Sequence, residues 1–316
     1  MRPSLSPLTM VWLVPCAASC AQETPKATST YDLAHPTRAF DLPRELREIS
    51  DLTWVGEHTL GCVQDEKGIL YLLDARDGRV RAAHPFGPKG DYEGVARVGA
   101  EFYVLRSDGM LLRLTTRGAR LGVGDAFALA TPQRNLEGLC FDPLRNLLLI
   151  APKDIAVPPP PPKSGDEDKA AKRARQEAED ERLLWGFDPT TRKLLDEPVL
   201  RLTIPRIVEQ AEGNPDLPPR RGKKGQKDPD LKLRFSCVAV HPKTHEIWML
   251  SSSDHLLLAF DRRGDLRELR ALDPKLFPKP EGMTFLPDGS LVLSTEADTH
   301  PARVFVYAPG KGPAKD

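Results

Sequence analysis

The sequence predicts an all-β fold made of repeated four-stranded units, and three observations carry that prediction. First, a short phrase recurs: Arg47-Glu48-Ile49-Ser50, Tyr92-Glu93-Gly94-Val95, Leu136-Glu137-Gly138-Leu139, Phe235-Ser236-Cys237-Val238 and Pro280-Glu281-Gly282-Met283. Taking Glu48, Glu93, Glu137, Ser236 and Glu281 as lead positions, the spacing is about 45 residues, with one interval roughly twice as long. Second, in three units a turn proline follows the lead position at the same distance, at Pro143, Pro242 and Pro287. Third, each unit alternates short apolar runs with turn signals, the pattern of strands rather than helices. Four short strands at this period mark a β-propeller blade. The expected architecture is a five-bladed β-propeller with four-stranded antiparallel blades.

The elements follow in chain order. Residues 1–21 read as a secretory signal: one charge at Arg2, the short apolar stretch Leu8 to Ala18, then small residues before Gln22. That stretch is too short to span a bilayer. Ala17-Ala18-Ser19-Cys20 also resembles a lipoprotein box, which would put a lipid anchor at Cys20. Residues 22–36 read as a flexible linker, and 37–310 as the propeller. Within it, Thr37 to Leu42 (TRAFDL) is a strand-like stretch outside the repeats, and the fifth unit shows only three strands. An N-terminal strand completing that unit would close the ring and protect its edges.

The third unit reads GLCF, a turn from Asp142 to Asn146, LLLIA, LLWGFD and PVLRLTI. The fourth copies it with CVAV, a turn from His241 to His245, IWMLS, LLLAFD and LRELRAL; the fifth has MTFL, LVLST and RVFVYA. Two polar inserts account for the long interval. One, about 155–182, opens on five prolines and continues as mixed charge; the other, about 210–232, is rich in Pro, Gly and Lys/Arg. A sixth blade hidden there is the competing account, but no further Glu-Gly phrase appears in it. Residues 311–316 are a C-terminal tail.

Composition narrows the function classes. The 316 residues carry 45 Lys+Arg and 45 Asp+Glu, so no global field draws in nucleic acid or an anionic membrane. Hydrophobic residues at 40% allow a packed core, and 31 prolines favour turn-rich β structure. Cleavage of the signal would leave three cysteines, Cys62, Cys140 and Cys237, each in an apolar run without CxxC spacing. These read as buried thiols rather than a disulfide framework or a zinc site. No GxSxG or histidine triad spacing supports a nucleophilic enzyme.

The phrases ELREIS, VQDEKG, DYEGVARV, YVLRSDG, NLEGLCFDP, VAVHP and LDPKLFPKPEGMTFLPDG, spread over about 40–309, resemble the SdiA-regulated (YjiK-like) family of bacterial envelope proteins. The resemblance implies a five-bladed propeller, an exported location in the periplasm or at the cell membrane, calcium as a ligand and an undefined biochemical role. The two inserts and the proline-interrupted N-terminal segment depart from the family pattern.

The innermost strand of each blade lines the central channel, so the lead residues are expected to converge at one mouth. Glu48, Glu93, Glu137 and Glu281 are therefore the expected metal site, and Ser236, which completes the ring, is counted with the ligand-binding residues. Clustered carboxylates either hold protons or are neutralised by a cation, and hard oxygen donors favour calcium. The competing reading makes each Glu a hydrogen-bond acceptor in its own blade, with Gly needed only for close packing. A second tier of expected ligand-binding residues follows the second strands, with Asp65, Arg106, Lys153 and Glu296; Arg106 and Lys153 are the cations among the acids. A monomer binding a small ligand or an envelope protein on this face, without nucleic acid, is the leading expectation. A calcium-dependent phosphoesterase or lactonase is the alternative.

Overall fold

Each repeat of the sequence folds into one antiparallel sheet. The structure, a computed structural model, describes residues 30–117, 120–155, 169–218 and 231–310. Strand β1 (Arg38–Asp41) precedes the first blade, β2 (Ile49–Gly56), β3 (Thr59–Gln64), β4 (Lys67–Asp74) and β5 (Val80–Lys89). The second blade is β6 (Tyr92–Val98), β7 (Glu101–Arg106), β8 (Met110–Arg117) and β9 (Arg120–Ala128). The third is β10 (Leu136–Asp142), β11 (Leu147–Pro152) and β12 (Glu181–Asp188), with helix α1 (Lys169–Asp180) in the connection. Its fourth strand is split into β13 (Lys193–Leu194) and β14 (Leu200–Thr203), both paired to β12 and followed by helix α2 (Ile204–Gln210). The fourth blade is β15 (Phe235–Val240), β16 (Ile247–Ser251), β17 (Leu256–Phe260) and β18 (Leu266–Ala271). The last is β19 (Pro280–Phe285), β20 (Leu291–Thr295) and β21 (Arg303–Tyr307), completed on its outer edge by β1. The expected five-bladed β-propeller and its closure by the N-terminal strand are both present: Arg38 to Asp41 run antiparallel to Val306 to Arg303.

Strands β2, β6, β10, β15 and β19 form the innermost ring, each packed on the next, and β19 returns to β2. The middle strands are apolar on both faces because neighbouring blades cover both; β16, β17 and β20 are buried along their whole length. Leu60, Val104, Ile150, Leu250 and Leu293, one from each β3-type strand, are fully buried. The turns after the innermost strands need left-handed residues. Asn146 (φ 53°), His245 (φ 59°) and Gly289 (φ 92°) supply them in the three units with a turn proline. His241 serves its turn, its Nδ1 accepting the backbone N–H groups of Lys243 (3.3 Å) and Thr244 (3.0 Å). Arg263-Gly264-Asp265 lies between β17 and β18 as a hairpin turn, with Gly264 at φ 87°.

Three boundaries differ from the sequence expectation. The last part of the stretch read as linker enters the core: Tyr31 is 1% exposed, meets Trp248 edge-on at 5.5 Å, and donates its hydroxyl to the Gly289 carbonyl at 2.7 Å. An aromatic ring in so polar a segment buries apolar area that its surroundings do not advertise. The first insert ends sooner than expected, since Glu181 and Arg182 belong to β12. Arg182 is buried and gives its guanidinium to the carbonyls of Leu233 (2.9 Å), Glu179 (2.7 Å), Glu181 (2.8 Å) and Lys232. Four carbonyls thereby replace the water an internal cation would lose. The second insert begins and ends in the core, at Ala211 and Leu231. The expected signal, the proline run and residues 311–316 lie outside the described residues. Among the described residues no helix is long and apolar enough to cross a membrane.

Candidate functional site: the acidic mouth of the channel

At the start of each innermost strand the pairing register slips by a bulge, and the lead residue is the one that bulges. The slip falls between Tyr92 and Gly94, Leu136 and Gly138, Phe235 and Cys237, and Pro280 and Met283. In the first blade it falls between Ile49 and Asp51. Ser50, not Glu48, is therefore the equivalent of Glu93, Glu137, Ser236 and Glu281. Glu48 stands two residues earlier, where its carbonyl accepts the Asp65 N–H, just as Asp91 accepts from Ser107, Asn135 from Lys153 and Lys279 from Glu296. Identity of side chain suggested Glu48; the hydrogen-bond register corrects it. The same register puts Ser107 rather than Arg106 beside Asp65, Lys153 and Glu296, and Arg106 is paired to Asp108 at 2.6 Å.

The glycine after each lead Glu is required by the convergence of the strands. A Cβ on Gly94 would stand 2.6 Å from Leu139 Cβ and 2.8 Å from the Glu137 carbonyl oxygen, and one on Gly138 would stand 3.0 Å from the Val238 nitrogen. Close approach of one innermost strand to the next thus accounts for the Glu-Gly phrase. Two blades lack the glycine and carry Asp51 and Cys237 instead. The Asp51 carboxylate accepts the Val95 N–H at 2.8 Å and lies 3.3 Å from the Cys237 thiol. Full burial pushes Asp51 up to about 8, its hydrogen bonds opposing the shift, so the group is mostly neutral near pH 7. Burial also pushes the Cys237 and Cys140 thiols far up; Cys62 and Cys237 are buried as expected, whereas Cys140 is only partly buried.

Above this axial pair lies the ring. Glu137 is buried and ion-paired to Lys153 Nζ at 2.8 Å. Ser252 Oγ donates to Glu281 Oε1 at 3.3 Å. Ser236 lies near enough to favour the ionised form of Glu281 without making a full hydrogen bond. Burial, then Glu137 and a hydrogen bond with Asp91, push Glu93 up to about 9. Glu137 and Glu281 are each raised to about 7 by burial, with Lys153 opposing the rise. Lys153 itself is raised: burial disfavours its charge, and the attraction of Glu137, Glu281 and Glu93 outweighs that. Beside the ring, burial and the charges of Glu48 and Glu296 push Asp65 to about 6. Glu296 meets Lys279 Nζ at 3.2 Å.

The structure thus gathers Glu93, Glu137, Ser236, Glu281 and Lys153 into one cluster, with Asp65, Glu48 and Glu296 on its flank; Arg106 stands apart. Sequence reading missed Ser50, Asp51 and Asp91. Aligning the first unit by its apolar residues, ISDL on YEGV, would have found the first two. The oxygen donors suit calcium by type, and the ammonium of Lys153 already neutralises one of them, Glu137. Among the described residues, no group of three or more His, Cys, Asp or Glu side chains is arranged to hold a metal ion.

No family model matches the chain, and no curated protein does. Among solved structures, a glutaminyl cyclase from Myxococcus xanthus is similar over 87% of this chain and 95% of its own, at 13% identity and a TM-score of 0.54. The PQQ-bound aldose sugar dehydrogenase from Streptomyces coelicolor is similar over 87% and 98%, at 15% identity and a TM-score of 0.51. Likeness at these identities shows the propeller fold alone.

Proposed function

We propose that this protein is an exported propeller of the bacterial envelope that binds a ligand or partner through a cationic group, such as an amine or guanidinium, at the acidic mouth. The single observation behind this reading is the imbalance of the cluster: Glu93, Glu137 and Glu281 surround one ammonium, that of Lys153. Binding a second positive charge would let the protonated carboxyls ionise, because an opposite charge nearby favours the charged form. A planar guanidinium would also match carboxylate pairs in two-pronged hydrogen bonds. The envelope location rests on the leader-like residues 1–21 and on the family resemblance. A catalytic reading as a calcium-dependent hydrolase would need a carboxylate-held metal to activate water, and no group of three such side chains among the described residues is arranged to hold one.

Calorimetric titration of the mature chain with agmatine, and separately with calcium, tests this reading. Agmatine binding that weakens at least tenfold in Glu93→Gln and in Glu137→Gln would support it. Absence of agmatine binding, or binding indifferent to both substitutions, would refute it. Calcium binding lost in the same variants would replace the organic cation with the metal.

A further inference from the structure

The opposite mouth of the channel differs in every chemical respect. There the innermost strands end around a cavity of about 240 Å³, to which all five contribute. Its floor is apolar, with Leu52, Leu139 and Met283 nearly fully buried. Counting from the bulge, one register position on each strand forms its rim: Trp54, Arg97, Phe141, Val240 and Phe285. Four of these are apolar and one is charged. Arg97 is half-buried, and among the described residues its guanidinium makes no ion pair or hydrogen bond; Nη1 lies over Gly56 at the end of β2. Other half-buried arginines of the propeller are paired: Arg262 holds the buried carboxylate of Asp142, and Arg113 joins Glu101 and Asp125. A neutral side chain would serve packing at the rim as well as those of the other four blades do. A lone arginine there is a charge waiting for an anion.

We propose that this funnel is a second binding site, for a small aromatic or short-chain carboxylate whose apolar body enters the channel and whose carboxylate meets Arg97. The fit follows from three features. The cavity lies just below the usual range for drug-sized ligands, which selects a small one. The floor rewards apolar area. Arginine engages a carboxylate in two parallel hydrogen bonds that a neutral amide cannot match. Pro143, on the turn after Phe141, extends the apolar lip. The axial pair Asp51 and Cys237 separates the funnel from the acidic mouth, so the two sites present opposite charge preferences at the two ends of one channel.

The test is calorimetric titration of the full mature chain with phenylacetate, indole-3-acetate and hexanoate, with phenylacetamide as the neutral control. The expected result is saturable binding of at least one carboxylate. In Arg97→Met, which keeps the apolar stem, affinity for that carboxylate should fall at least tenfold, with phenylacetamide weak in both proteins. Val240→Phe, which crowds the mouth without touching Arg97, should weaken the same carboxylate while the melting curve stays that of the native chain. No binding of any of the three acids, or equal affinity in Arg97→Met, would overturn the proposal.

Discussion

Replacing Asp51 by Asn should abolish a large part of the protein's alkaline instability. The carboxyl is 1% exposed, and its perturbation comes from burial, with no ring glutamate among its causes. Its acidity falls from the ordinary value of 3.8 to about 8. At about 1.4 kcal/mol per pH unit, that displacement amounts to about 6 kcal/mol. A raised acid binds its proton more tightly in the native state, so its contribution is fully present below pH 3.8 and is lost as pH rises to about 8. Asn keeps an oxygen to accept the Val95 N–H and cannot ionise. Urea unfolding of wild type and Asp51→Asn at pH 5, 7 and 9 reads the difference directly. The variant should exceed wild type by about 2 kcal/mol at pH 5 and by about 6 kcal/mol at pH 9. Parallel stability curves across that range would refute the reasoning, because they would mean that the axial carboxyl ionises freely in the folded protein.

Three further outcomes are expected. Lys153→Met removes the cation that opposes the raised pKa of Glu137, so unfolding free energy should drop by about 1 to 3 kcal/mol at pH 8 and by little at pH 5, where Glu137 holds its proton; an equal loss at both values would separate Lys153 from the ring. Gly94→Ala forces a Cβ within 2.6 Å of Leu139 Cβ, and thermal unfolding should show a loss of about 1 to 3 kcal/mol. Tyr31→Ala empties a fully buried site and deletes the bond to the Gly289 carbonyl; a loss of about 3 kcal/mol or more would be read by urea unfolding, and a loss under about 1 kcal/mol would mean that the segment before β1 packs only loosely.

The fold was legible because the blades repeat one plan: a bulge, an apolar innermost strand, a turn that carries proline in three of the five units, and largely buried second and third strands. Even the closing strand β1 could be found, since Arg38 to Asp41 had no other partner while the fifth unit lacked a strand. The site was legible in outline. Glu93, Glu137, Ser236 and Glu281 do share one position, but the first blade was read from the identity of Glu48 when hydrogen-bond register selects Ser50. Arg106 was misplaced by one residue for a related reason, because the end of an apolar run does not fix where a bulge begins. Lys153 could be listed among the nearby cations from sequence, whereas its ion pair with Glu137 depends on how β10 and β11 leave their shared bulge. Asp51 was overlooked because an acid following Ser looks like a surface turn until the ring of glycines around it is seen to be the channel axis.

Proton release on ligand binding tests the central claim most directly. Agmatine titrated into the mature chain at pH 6, in two buffers of different ionisation enthalpy, counts the protons displaced from the ring. With Glu93 raised to about 9 and Glu137 and Glu281 to about 7, the account predicts binding that releases about one proton, drawn from the Glu137 and Glu281 carboxyls, with the release reduced in Glu137→Gln. Binding without proton release, or release unchanged in that variant, would contradict it.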